Sequence, residues 1–352
     1  MGTCEIMIKV GIIGANGYTG AELMRLLAMH GKAKVTYIAS RSNAGTAATE
    51  LYPSLYAKYK DMKYEEPDAK ECAKKCDVAF TCLPHAASAA FGAELCHSGV
   101  KVIDLSADFR YDDINLYEKT YKVVHPAKEL NKEAVYGLVE LYREQIKSAR
   151  IIGNPGCYTT SSILPLYPLI KENLISENGI IIDSKSGVTG AGRKADIAYN
   201  YCETDESFKA YAVTTHRHTS EIEEKLSVDG KKIALSFTPH LLPVKRGILS
   251  TIYADLKNGA DEQKIAAVYD KYYGAEPFVN VFPEGTLPEI KWVAGSNTCK
   301  IGYKVDKRLN KIIIVSCLDN LIKGAAGQAI QNMNVMFGVD EKEGLPLCAN
   351  YL

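Results

Sequence analysis

Apolar positions along the first half of the 352-residue chain follow two alternating rhythms. Short runs at residues 6–13, 35–39, 78–83 and 100–105 have the length and β-branched content of buried strands. Between them, residues 19–29 place Ala21, Leu23, Met24, Leu26 and Leu27 at helical spacing, and residues 86–97 form a second helical stretch. Strand, helix and strand repeated this way predict an α/β fold with a Rossmann-type, doubly wound parallel sheet. Residues 57–75 are charged and weakly patterned and read as a surface excursion.

Beyond residue 157 the texture changes to longer β-branched runs at residues 179–183, 232–238, 249–256 and 311–318, near the turn signals Asp229-Gly230 and Leu309-Asn310. These predict an α+β catalytic domain on a mixed or antiparallel sheet. A last helix over residues 321–337 puts Ile322, Ala326, Ala329, Ile330, Met333 and Phe337 on one face, while Gly324 and Gly327 permit close approach. No linker separates the domains, so they are expected to interleave: 1–153 with 320–352, and 154–319.

Composition narrows the partners. With 42 Lys plus Arg against 42 Asp plus Glu, nothing attracts nucleic acid or an anionic membrane, and a small-molecule substrate is the expectation. The opening residues lack the pattern of a signal peptide, no apolar run reaches membrane-spanning length, and the ten cysteines form no CxxC pair. The expectation is a cytoplasmic enzyme without a disulfide framework or a metal site.

Three segments carry candidate chemistry. Gly14, Gly17 and Gly20 sit between a strand and a helix, where glycine lets backbone N–H groups approach a pyrophosphate; the spacing is GxxGxxG, not the usual GxGxxG. At the end of the second strand Arg41, flanked by Ser40 and Ser42, replaces the acid expected for NAD and favours NADP. Cys157, in GNPGCYTTS, follows a Pro-Gly corner and opens a helical run, a position that favours thiolate; Pro165 and Pro168 weaken that helix after two turns. His216 and His218 offer a proton-handling partner just ahead of a helix capped by Thr219 or Ser220, with no third ligand for a metal; His240 is a second choice. Arg110, the hydroxyls and N–H groups of residues 184–192, Lys245 and Arg246 suit an anionic substrate.

Together GANGYTGAEL, DLSADFR, GNPGCYTTS, SKSGVTGAGR, HRHTSEIE, TPHLLPVKRG and NLIKGAAGQAIQN span nearly the whole chain. In that order they resemble the N-acetyl-γ-glutamyl-phosphate reductases of arginine biosynthesis, relatives of the aspartate semialdehyde dehydrogenases. The resemblance implies NADPH-dependent reduction of the acyl phosphate to the semialdehyde through a thioester on Cys157, with His216 as acid/base. It assigns NADP to Gly14, Asn16, Gly17, Tyr18, Thr19, Gly20, Ser40, Arg41, Ser42, Ser186, Gly187 and Asn320, and the substrate to Arg110, Asn154, His218 and Arg246. It also implies a homo-oligomer, dimer or tetramer. Thr159 and Ser220 depart from the family's usual residues. Three alternatives stay open: the same chemistry on a carrier-bound aminoadipyl phosphate, an aspartate semialdehyde dehydrogenase, and a non-catalytic NADP sensor.

Overall fold

The computed structural model describes residues 7–350. They divide into two compact units: one running to Pro155 and taking in Ala325–Leu345, the other covering Gly156–Gly324 and continuing from Pro346. Ile6, expected in the first strand, and Cys4 lie outside the described residues.

In the first unit β1 (Ile8–Ile13), β2 (Ala33–Ala39), β3 (Val78–Thr81), β4 (Lys101–Asp104), β5 (Val135–Tyr136) and β6 (Ile151–Gly153) form one sheet in the order β2-β1-β3-β4-β6-β5. Every pair in it is parallel. The strands are almost wholly buried, which explains their continuous apolar runs, and Ile13, Tyr37, Leu95, Val102, Phe109 and Ile151 share one core. The surface excursion expected over residues 57–75 is only partly that. Asp68 accepts the N–H groups of Lys70 and Glu71 and so caps a helix, Ala69–Lys75, that buries Ala69 and Cys72. Two apolar contacts in seven residues are too few to show as a period. The last helix is also corrected: a π-helical turn, Ile322–Ala326, precedes the α-helix Gly327–Met336.

The second unit holds β7 (Ile180–Gly187), β8 (Lys209–Ala210), β9 (Leu235–Leu242), β10 (Ile248–Asp255), β11 (Val279–Val281), β12 (Cys299–Asp306) and β13 (Lys311–Leu318) in the order β11-β12-β13-β10-β7-β9-β8. The sheet is mixed: β7 with β9 and β11 with β12 run parallel, the other neighbours antiparallel. Helix Cys157–Lys171 packs on β10 and β13 and is flanked by helices His218–Leu226 and Glu262–Tyr273. It does not break at its prolines. Pro168 has no N–H for the carbonyl of Leu164, and the Tyr273 hydroxyl donates to that oxygen at 2.6 Å instead. Tyr269 donates to the carbonyl of Pro165 at 2.8 Å, a further bond from the same neighbouring helix. Among the described residues no helix is long and apolar enough to cross a membrane, no group of three side chains could hold a metal, and the nine described cysteines form no disulfide.

Candidate active site

The glycine turn of the first unit divides its labour. Gly14 has φ +81°, and a Cβ there would lie 2.4 Å from the carbonyl oxygen of Cys82; a Cβ on Gly20 would lie 2.5 Å from Cα of Ala15. Gly14 thus lets the turn pass close to the chain leaving β3, and Gly20 lets helix Tyr18–Leu27 close onto the residue after the turn begins. Gly17 differs: its φ is −80° and a Cβ would meet nothing nearer than the oxygen of Gly14 at 3.7 Å, so the space above it is open. It caps the helix without any side-chain cap, the kind of terminus at which anions bind. Asn16 Nδ2 donates to Ser42 Oγ at 3.1 Å and Asn43 Oδ1 at 3.0 Å, tying the turn to the loop after β2. In that loop Ser40 is buried, whereas the Arg41 side chain is 88% exposed, 4.0 Å from Glu66. Tyr18 and Thr19 open the helix at the surface of the turn.

The DLSADFR segment folds inward. Asp104 is fully buried and accepts from Thr81, Ser88 and Ser106 at 2.8, 2.5 and 2.6 Å; burial, with Asp108 nearby, pushes its carboxyl up. Asp108 takes the N–H of Ala89 and the hydroxyl of Tyr117. Arg110, expected to present its guanidinium, is only 7% exposed and donates to the carbonyls of Asn154 at 2.7 Å and Leu105 at 3.2 Å. The Asn154 side chain is engaged too: Nδ2 donates to the carbonyl of Ala325 and Oδ1 accepts from Asn332. Both therefore brace the chain entering the cysteine corner.

In the second unit Cys157 is the first residue of its helix, after Gly156 in extended conformation (φ −70°, ψ 154°). Twelve of the fifteen helix residues are buried, but Cys157 is only half-buried, so the thiol faces an accessible space. A Cβ on Gly324 would lie 2.7 Å from Cβ of Cys157, so only glycine lets the π-helical turn approach this closely. Glu221, fully buried in the first turn of helix His218–Leu226, accepts the Gly156 N–H at 3.1 Å and the Thr159 hydroxyl at 3.0 Å through one oxygen, Oε1.

That helix begins two or three residues earlier than expected. His218 is its first residue and Arg217 its N-cap, with no side-chain cap from Thr219 or Ser220; the Ser220 hydroxyl donates back to the carbonyl of Arg217. The ring of His216 takes part instead, Nδ1 accepting the N–H of His218 at 3.1 Å. A neutral ring held this way carries its proton on Nε2. His216 is enclosed by Tyr158, Tyr211, His218 and Phe237, with ring centroids 4.8–5.7 Å away. Burial, and then the charge of Arg217, bring its pKa down to about 4 against a pull upward from Glu221, so the ring is neutral at pH 7. Burial also pushes the Tyr211 phenol up to about 12 and Tyr158 higher still, and Tyr211 donates to the Tyr158 oxygen at 3.1 Å.

The glycine-rich loop after β7 does not offer its first N–H groups to an anion as expected. Those of Gly187, Val188 and Thr189 donate to the carbonyls of Gly247, Val244 and Lys245. Ser186 is buried and donates to the carbonyl of Gly187; Asn320 accepts the Gly247 N–H at 2.8 Å and donates to Thr189 at 3.0 Å. Arg246 is part-exposed, 3.6 Å from buried Asp319, and Lys245 is exposed. His240, the second-choice base, lies 3.1 Å from Asp183 on the part-exposed side of the sheet.

Residues 9–149 match the model of the semialdehyde dehydrogenase NAD binding domain, and residues 157–320 that of the semialdehyde dehydrogenase dimerisation domain. Curated relatives named N-acetyl-gamma-glutamyl-phosphate reductase include those of Caldicellulosiruptor bescii, 53% identical over 98% of this chain and 100% of that protein, and Acetivibrio thermocellus, 49% identical over the same shares. The Campylobacter jejuni protein is 49% identical over 97% of this chain and 99% of its own. The chain belongs to this reductase family. Its fold is that of the semialdehyde dehydrogenases: aspartate semialdehyde dehydrogenase II from Vibrio cholerae superposes with a TM-score of 0.72 at 17% identity, covering 94% of this chain and 99% of that one. The Candida albicans enzyme, solved with NADP, gives 0.67 at 16% identity over 94% and 98%. As a member of the reductase family the chain carries a nicotinamide-cofactor-binding domain in its first unit.

Sequence reasoning missed Glu221 and the phenols of Tyr158 and Tyr211 as parts of the cysteine corner. Tyr158 adjoins Cys157, and Glu221 stands three residues into the helix after His218, which was a usable signal; nothing local marked Tyr211. Thr159, the departure from the family's residue, is the side chain that meets Glu221.

Proposed function

We propose that the protein reduces N-acetyl-γ-glutamyl phosphate to N-acetylglutamate 5-semialdehyde and phosphate with NADPH. The observation that carries this reading is Cys157: an accessible thiol at the first position of an otherwise buried helix, with the His216 cluster packed around its neighbour Tyr158. Relatives near half identity carry the glutamyl name, which favours this substrate over the aminoadipyl alternative. The thiolate of Cys157 attacks the acyl phosphate carbon, phosphate leaves, and a thioester remains. NADPH, when bound, supplies the hydride. The first-turn N–H groups of the Cys157–Lys171 helix stabilise the oxyanion, and the Nε2–H of His216 donates a hydrogen bond to the oxyanion of the hemithioacetal, which collapses to the aldehyde as the Cys157 thiolate departs.

For the cofactor, Gly14, Gly17, Gly20, Tyr18 and Thr19 form the pyrophosphate cradle, Asn16 holds it to the loop, and exposed Arg41 between Ser40 and Ser42 takes the 2′-phosphate. Ser186, Gly187 and Asn320 shape the loop beside β10, while Arg246 and His218 face the substrate anion; Arg110 and Asn154 act as braces. The oligomer forms on the second unit, where alternate side chains of β7 and β10 stay part-exposed and Ile181 is 47% exposed. The compartment is the cytosol. Reduction of NADP by N-acetylglutamate semialdehyde plus phosphate tests the reading; turnover confined to the carrier-bound aminoadipyl substrate, or reactivity with neither, would overturn it.

A further inference from the structure

A pair of sulphurs lies in the first unit, outside the chemistry above. Cys72 and Cys76 stand four apart at the end of helix Ala69–Lys75, 0% and 8% exposed. A Cβ on Gly11 of β1 would lie 2.9 Å from Cys72 Sγ and 3.0 Å from Cys76 Sγ, so both sulphurs converge on one bare backbone position. The two thiols hydrogen-bond each other, and Thr36 Oγ1 lies 3.4 Å from Cys76 Sγ. These bonds, that from Cys72 first, hold the Cys76 thiol below its ordinary range, while the same contact and burial raise Cys72. Cys76 has already left the helix, with φ −132° and ψ 144°, so its side chain can swing without unwinding a turn. A disulfide demands a specific Cβ–S–S–Cβ geometry, and a cap residue can supply it where two helical residues could not.

The geometry points to an oxidisable dithiol: Cys72 and Cys76 close to a disulfide on exposure to a peroxide, and the closed form weakens the hold of the Ser40–Ser42 loop on its nucleotide. The Cys76 thiolate attacks one peroxide oxygen and releases hydroxide, leaving a sulfenic acid; the Cys72 sulphur then attacks the Cys76 sulphur and displaces water. In sum, two thiols and one hydrogen peroxide give one disulfide and two waters. Cys76 is bonded to Lys75, whose Nζ pairs with Glu65 at 2.7 Å and whose carbonyl accepts the Thr36 hydroxyl at 2.8 Å. The Glu65 backbone donates to Ile38 and accepts from Ser40 at 2.9 and 3.0 Å. Drawing Cys76 toward Cys72 therefore pulls on the strand edge from which the nucleotide loop departs. This consequence rests on the assignment of that loop to the cofactor.

The test uses the full-length Cys157→Ser protein, which keeps the nucleophile silent. After hydrogen peroxide and then alkylation, trypsin separates residues 71–74 from 76–101, so the disulfide appears as a cross-link between two peptides, and fragmentation of the larger one assigns it to Cys76 and shows Cys82 and Cys96 alkylated. The expected result is that cross-link, a rise in the NADPH dissociation constant of at least about fivefold, reversal by dithiothreitol, and no peroxide effect on affinity in a further Cys76→Ser variant. Absence of the cross-link overturns the dithiol, on the parent protein alone and whether or not the variant folds. A cross-link with unchanged affinity overturns the coupling. A reduced protein that binds no NADPH overturns the cofactor assignment instead and leaves the cross-link result standing.

Discussion

Two helices of this protein start in the same way and end up with opposite surroundings. Tyr18–Leu27 and Cys157–Lys171 both follow a glycine in extended conformation, φ −80° and −70°, and neither has a side-chain cap on its first turn. At the first, the space over Gly17 stays open and an arginine stands exposed on the adjoining loop, a place for a diffusible anion. At the second, the protein supplies its own acceptor: Glu221 takes the Gly156 N–H and the Thr159 hydroxyl, and the thiol of Cys157 occupies the first position. A helix terminus by itself is neutral as to use. What is packed against it decides between holding a phosphate and holding a nucleophile.

The comparison can be pressed at both ends. The largest effect should come from Cys157→Ser, lowering kcat by at least about 10³-fold with NADPH binding retained, because the thioester route is lost; stopped-flow turnover beside a cofactor titration would show it, and near-normal turnover would refute covalent catalysis. Next, Glu221→Ala strips the acceptor from the buried Gly156 N–H, while the Thr159 hydroxyl keeps the Gly156 carbonyl at 2.6 Å; the cost is about 1–3 kcal/mol, and kcat should fall some 10- to 100-fold. Glu221→Gln retains Oε1 and should recover most of that loss; if both variants fall equally, the carboxylate charge matters and the bonds do not. At the other terminus Gly17→Ala should leave stability within about 1 kcal/mol of the parent yet weaken NADPH roughly tenfold, since the methyl enters the cradle and meets no protein atom closer than 3.7 Å. Arg41→Ala should raise KM for NADPH by about tenfold and leave that for NADH unchanged; equal losses for both would remove the arginine from the 2′-phosphate.

The smallest effect concerns pH. His216 titrates near 4 in the folded protein against an ordinary 6.5, so between these values the unfolded chain takes up a proton that the native one refuses. Stability should fall as pH drops through that window, by about 1 kcal/mol at pH 5 after allowance for partial exposure, and level off below 4. Thermal melts of the parent and His216→Asn from pH 7 to 4 should converge on acidification; parallel curves would mean the ring is solvated.

Periodicity along the chain was sufficient for β1 to β4 of the parallel sheet, because they are buried on both faces and read as apolar runs, but not for β5, whose two residues are too few to show one. It also exposed the glycine turn, Arg41, Cys157 and the two histidines, whose residue types are constrained by local chemistry. It failed where the decisive partner is distant. Helix Cys157–Lys171 runs on past Pro168, where Tyr273, more than a hundred residues on, replaces the missing donor. Strand β12 and helix Glu262–Tyr273 were passed over, as their alternation is diluted by charged residues on the exposed side. Arg110 and Asn154 read as ligand-binding groups, and the structure shows both buried with donors on backbone carbonyls, since a guanidinium or amide advertises donors without saying which acceptor it meets. Local sequence determined which residues could do chemistry. Tertiary packing alone decided which polar atoms remain available for it, because every buried donor and acceptor must find a partner and the choice among partners is made across the fold.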